Sequence, residues 1–114
     1  MKVDKSLLSG STTLLVLSLL KTGDMYGYEM IAELSRRSDK TFELKEGTLY
    51  PILHGLEKGK YLSGYQQQAP SGRMRKYYRL TRKGRELLAE KKAEWASFHR
   101  GVADVLSGGA NALA

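Results

Sequence analysis

The sequence predicts a mainly α fold with a small β-hairpin and one long C-terminal helix. Three observations carry this. Apolar residues recur at helical spacing in short blocks before residue 59, and two tyrosine-rich segments flank the turn Ala69-Pro70-Ser71-Gly72. After Thr81 a stretch free of proline runs to Leu106. At 114 residues the chain has the size of one domain, and a 41% hydrophobic share supplies a core. With no cysteine it cannot hold a disulfide scaffold, a thiolate zinc site or a cysteine nucleophile.

The elements follow in order. Leu7, Leu14, Leu17 and Leu20, with Leu8 and Leu15 beside them, predict a helix over 6–21, weakened at Gly10 and closed by Thr22-Gly23. Asp24 is an N-cap candidate for a second helix over 25–37, with Tyr26, Met30, Ile31 and Leu34 to one side. Residues 41–44 form a short connector. Leu49, Ile52, Leu53 and Leu56 then make one apolar stripe over 46–58. Pro51 lies one turn inside this helix and crowds the carbonyl of Gly47, which has no side chain to add to the crowding. Residues 61–67 and 75–80 have strand composition, Thr81 is an N-cap candidate for the last helix, and Ser107-Gly108-Gly109 stops it.

Charge is distributed unevenly. Arg73, Arg75, Lys76, Arg79, Arg82, Lys83, Arg85, Lys91 and Lys92 are opposed within that stretch only by Glu86 and Glu90, which places the whole +7 excess there. Concentrated positive charge beside a folded body marks a polyanion binder. Three short helices followed by a basic hairpin describe a winged helix-turn-helix, the third helix fitting a major groove and the hairpin lying along phosphates. The expected organisation is a DNA-binding domain over 1–80, a dimerisation helix over 81–107 and a disordered tail over 108–114.

Three blocks then carry a resemblance: Tyr26-Gly27-Tyr28-Glu29, then Glu46-Gly47-Thr48-Leu49-Tyr50-Pro51 with Leu56-Glu57-Lys58, then Arg75-Lys76-Tyr77-Tyr78-Arg79-Leu80-Thr81 with Gly84. In order and spacing they resemble the PadR family of bacterial transcriptional regulators over residues 7–106. The resemblance implies a homodimeric winged-helix repressor that binds a palindromic operator and is relieved by a small molecule. The single helix after the hairpin is similar to the short, LmrR-like subfamily. There a tryptophan midway along that helix, matched by Trp95, stacks on flat aromatic compounds between subunits.

On the third helix, Thr48, Tyr50 and His54 stand opposite the leucine stripe, and the helix N-terminus offers unpaired N–H groups to phosphate. The resemblance implies that Thr48 and Tyr50 touch the DNA backbone while Lys45 and His54 vary with target. Tyr26, Gly47 and Pro51 complete this candidate set. In the hairpin, Gly72 permits a tight tip, and Arg73, Arg75 and Lys76 are candidate phosphate contacts. Leu88, Lys91, Trp95, Phe98, Val102 and Val105, spaced alternately by 3 and 4, form a seam for a second copy. Trp95 is either a packed interface aromatic or a ligand platform; Phe98, Leu7, Leu8 and Ser11 are candidates for the same cavity.

No catalytic residue, metal site or cofactor is expected, because His54 and His99 lie in separate helices without a carboxylate pair or a phosphate-cradling loop. The apolar run Leu14–Leu20, broken by Ser18, is too short for a membrane span, and a cytoplasmic protein is expected. The expected partners are double-stranded DNA, a second copy and a planar aromatic effector. The competing reading is a winged-helix protein–protein module whose basic hairpin meets an acidic partner.

Overall fold

In the computed structural model, which describes residues 3–108, the expected first helix is two, α1 (Lys5–Ser9) and α2 (Thr12–Lys21). The break has a local cause. The Leu8 carbonyl accepts the Ser11 N–H at 2.9 Å and the Thr12 hydroxyl at 2.9 Å, so the regular helical ladder stops there. It restarts when Leu15 N–H donates to Ser11 O at 3.0 Å.

The second helix also starts later than its pattern suggests. Met25–Tyr26 form a two-residue strand, β1, and α3 spans Gly27–Arg37. Asp24 does not cap it. Its carboxylate accepts the Tyr65 hydroxyl at 2.5 Å and lies 3.3 Å from Arg79 Nε. The first turn is instead closed by Glu29, whose Oε1 accepts Tyr26 N–H at 3.1 Å.

Helix α4 spans Glu46–Lys58 with Pro51 inside it, as its stripe predicts. Strands β2 (Leu62–Gln68) and β3 (Met74–Leu80) pair antiparallel from Leu62↔Leu80 to Gln68↔Met74. The sheet order is β1-β3-β2, with Met25↔Tyr78 and Tyr26↔Tyr77. The predicted hairpin therefore has a third strand. At its tip Gly72 N–H donates to Ala69 O at 2.8 Å, and Gly72 takes φ +92, which a residue with a Cβ rarely adopts.

Val16, Leu17, Met30, Leu34, Leu49, Leu53, Leu62, Tyr78 and Leu80 meet in one core. Helix α5 (Arg82–Leu106) enters it by one turn only. Thr81 caps α5 by accepting Gly84 N–H at 3.0 Å, and its hydroxyl also reaches the carbonyls of Lys60 and Tyr61 at 2.7 and 2.9 Å. Leu88, expected on the seam, is 3% exposed and packs into its own chain's core, which leaves no face for a partner. Beyond it, Trp95, Phe98, Val102 and Val105 are exposed. Residues 109–114, most of the expected tail, lie outside the described residues. Among the described residues no helix is long and apolar enough to cross a membrane.

Candidate nucleic-acid interface

Helix α4 turns its leucines inward, so Lys45, Gly47, Thr48, Tyr50, Pro51 and His54 are all exposed on its other side. The space over Gly47 is open, since a Cβ built there meets nothing within 4 Å. Lys45 is the N-cap, and its side chain makes no hydrogen bond to the first N–H groups of α4. Tyr50 is 40% exposed, yet its hydroxyl rests against α3; a Cβ built on Gly27 would lie 2.4 Å from it. Gly27 is thus the residue that lets the start of α3 and the tyrosine of α4 approach.

The returning strand meets these helices in a cleft of about 440 Å³, lined by Tyr26, Gly27, Tyr28, Tyr50, Gln66, Met74, Arg75, Lys76 and Tyr78. Arg75 occupies it. Its guanidinium carbon lies 5.4 Å from the Tyr26 ring centre and 5.7 Å from that of Tyr28. Arg75 Nε is shielded from solvent without a hydrogen-bond partner. A guanidinium held between two rings is pre-oriented for an incoming anion. The Glu46 carboxylate beside the Tyr28 hydroxyl raises its pKa above the ordinary phenol value.

The expected phosphate contacts differ in their surroundings. Arg73 and Gly72 are exposed at the tip. Lys76 is not free: its ammonium lies 2.7 Å from Glu57 Oε1 on α4. Arg79 is likewise engaged, by Asp24 and by the Tyr65 ring at 5.2 Å. The basic stretch is also split by the fold, because Arg82, Lys83, Arg85, Lys91 and Lys92 belong to α5 and not to the hairpin. Lys83 donates to Gly59 O at 2.8 Å and covers the Tyr61 ring, tying α5 to the end of α4.

A second cavity, of about 270 Å³, lies between α1 and α5 and is lined by Ser6, Leu7, Gly10, Ser11, Leu14, Lys91, Glu94, Trp95 and Phe98. Four of the five candidate ligand residues, Leu7, Ser11, Trp95 and Phe98, come together there. Leu8 does not; it points to a separate cavity with Lys5, Ser9, Thr12, Glu43, Leu44, Lys45 and Thr48. The break at Gly10-Ser11 makes α1 the wall between the two cavities. Trp95 is 46% exposed and stacks on His99 at 5.0 Å between ring centres.

Sequence reasoning missed Tyr28, Glu57, Gln66, Met74 and Tyr78 at the interface. Only Tyr28 carried a local signal, its i+2 spacing from Tyr26; Gln66, Met74 and Tyr78 are brought in by strand register, and Glu57, on α4, by its pairing with Lys76 across the sheet.

The family model of the transcriptional regulator PadR-like family matches residues 16–90. A Lysinibacillus sphaericus protein is 37% identical over 94 residues, covering 82% of this chain and 86% of that one. Among solved structures, a transcriptional regulator from Clostridium thermocellum is similar with TM-score 0.79 and 32% identity, covering 86% of this chain and 95% of the other. A PadR-like transcriptional regulator from Bacillus cereus gives TM-score 0.78 and 31% identity, covering 90% and 98%.

Proposed function

We propose, from the premise that this chain belongs to the PadR-like family of DNA-binding transcriptional regulators, that it acts as a homodimeric repressor on a palindromic operator. Membership of that family makes it a regulator and not an enzyme. The observation that carries the dimer is the exposed stripe Trp95, Phe98, Val102 and Val105, at 46, 66, 39 and 79% exposure on the part of α5 that has left the core. Covering such a stripe with the same stripe of a second copy removes it from water. The proposed dimerisation unit is residues 81–107, without Leu88. Two copies so joined would present their α4 helices to half-sites about 34 Å apart.

Within each copy, α4 enters the major groove with Lys45 and His54 toward the bases. Tyr26, Thr48, Tyr50 and the first turn of α4 meet the backbone, and Arg73 and Arg75 neutralise phosphates. A planar aromatic effector would enter the Trp95 cavity, stack on the indole and relieve repression. Its volume of about 270 Å³ lies just below the range of roughly 300–1,000 Å³ of small-molecule sites, and a partner's wall would enlarge it.

Footprinting on DNA surrounding the chain's own gene tests the reading. A protected stretch with twofold symmetry is the expected result. Replacing Arg75 by alanine should weaken all sequences alike and lower the salt slope of the dimer by about 1.8, the share of two phosphate contacts, one from each copy. Absence of any symmetric protected stretch would overturn it.

A further inference from the structure

The DNA-binding reading counts Lys76 among the phosphate contacts, but its surroundings indicate another task. Its ammonium lies 2.7 Å from Glu57 Oε1, with side-chain exposures of 44 and 29%. The pair joins β3 to the last turn of α4, and β2 runs between those elements. The crossing is made at Gly64, where a Cβ would stand 2.5 Å from Lys76 Cε and 2.6 Å from Glu57 Oε2. Gly64 is opposite Tyr78, and the ammonium also lies 5.3 Å from the Tyr78 ring centre. The bridge thus has a bare strand position beneath it and an aromatic face beside it. The hydrogen bond to Glu57 raises the pKa of Lys76 above its ordinary value, the direction a paired ammonium takes.

We infer that Lys76 and Glu57 are positioning residues that fix the hairpin relative to α4, and that the phosphate contacts of the hairpin are Arg73 and Arg75. An internal ion pair releases no counterion when DNA binds, so it adds nothing to the salt slope. It acts by holding two separate probes at the spacing DNA requires, a preorganisation whose loss weakens binding without removing a phosphate contact. This rests on the DNA-binding reading above and changes which cations do the binding.

The test is the salt dependence of affinity for a mixed-sequence duplex about three turns long. Arg73→Gln and Arg75→Gln, each present twice in the dimer, should each lower the slope by about 1.8. Lys76→Gln and Glu57→Gln should change it far less than either arginine variant does, while weakening binding about threefold to fivefold per protomer, the scale of one partly exposed ion pair. Gly64→Ala displaces the bridge without altering any charge and should reproduce that loss. The exchanged pair Glu57→Lys with Lys76→Glu should return affinity to within about twofold of the parent.

A slope lowered by Lys76→Gln as much as by Arg73→Gln would overturn the inference alone. So would an exchanged pair no better than its weaker single variant. A parent that binds no duplex even at low salt would overturn the DNA-binding reading, and the inference with it.

Discussion

Gly84 offers the sharpest test of how α5 is seated against the base of the hairpin. A Cβ at this position would lie 2.1 Å from Tyr61 O and 2.7 Å from Leu80 Cδ1. The first separation is about 1.2 Å inside the short end, ~3.3 Å, of tolerated C–H···O contacts. The obstacle is backbone, and it is engaged: Tyr61 O accepts Thr81 N–H at 3.1 Å and Thr81 Oγ1 at 2.9 Å. Moving it weakens two hydrogen bonds worth about 0.5–1.5 kcal/mol each. Displacing Leu80 adds an overpacking cost of about 1 kcal/mol. Against this, alanine in a helix gains about 1 kcal/mol over glycine. Gly84→Ala is therefore expected to cost about 2 kcal/mol and to lower Tm by roughly 8 °C for a chain of this size. Gly55→Ala is the control, because a Cβ there meets nothing within 4 Å; it should raise Tm by a few degrees. Thermal melts followed at 222 nm, at one fixed protein concentration, read both. A Gly84→Ala protein as stable as its parent would refute the argument that α5 is fitted to the Tyr61 carbonyl.

Val102→Glu places a charge in the middle of the exposed α5 stripe and should shift sedimentation at micromolar concentration from dimer to monomer; an unchanged sedimentation coefficient would count against the seam. A planar dye should quench the single tryptophan, Trp95, in the parent, whereas Leu7→Glu on the facing wall of the cavity should reduce dye affinity without altering the fold. Glu33 supplies a pH test: hydrogen bonds from Arg36, then Arg37, hold its carboxyl down to about 2, from an ordinary 4.5. A depressed carboxylate pKa gives stabilisation that is complete above pH 4.5 and is lost as pH falls through about 2. The stability difference between parent and Glu33→Gln in urea melts should therefore be flat above pH 4.5 and shrink toward zero near pH 2.

What was legible in the sequence was the part with local causes. Helix α4 appears at its expected limits because its leucine stripe, its proline and Gly47 all act within two turns. The Thr81 cap was readable because its hydroxyl acts on an N–H three residues away. The misreadings have distant causes. Asp24 looked like a cap, yet Tyr65, 41 residues on, claims its carboxylate. Met25 and Tyr26 join a sheet whose other strands lie far along the chain, and a two-residue strand has no periodicity to detect. Leu88 sits on the same helical spacing as Trp95 and Phe98, so periodicity cannot tell which of them the core takes. The basic stretch looked like one surface because charge counts ignore the turn at Thr81, where strand becomes helix. At the site, α4's exposed residues were readable from their own helix, whereas Tyr28, Glu57 and Tyr78 depend on how β3 crosses α3 and α4.

The two residues of β1 have a mechanical consequence. Over Tyr77 and Tyr78 the returning strand is gripped from both edges; from Met74 to Lys76 it is gripped from one. A ribbon of two strands is compliant by itself, but Lys76 on Glu57 and Arg75 against Tyr26 and Tyr28 still tie it to the helices, so flexure concentrates beyond Arg75, toward the tip. The tip can follow the curvature of whatever it lies against, while the root moves as one piece with the helices.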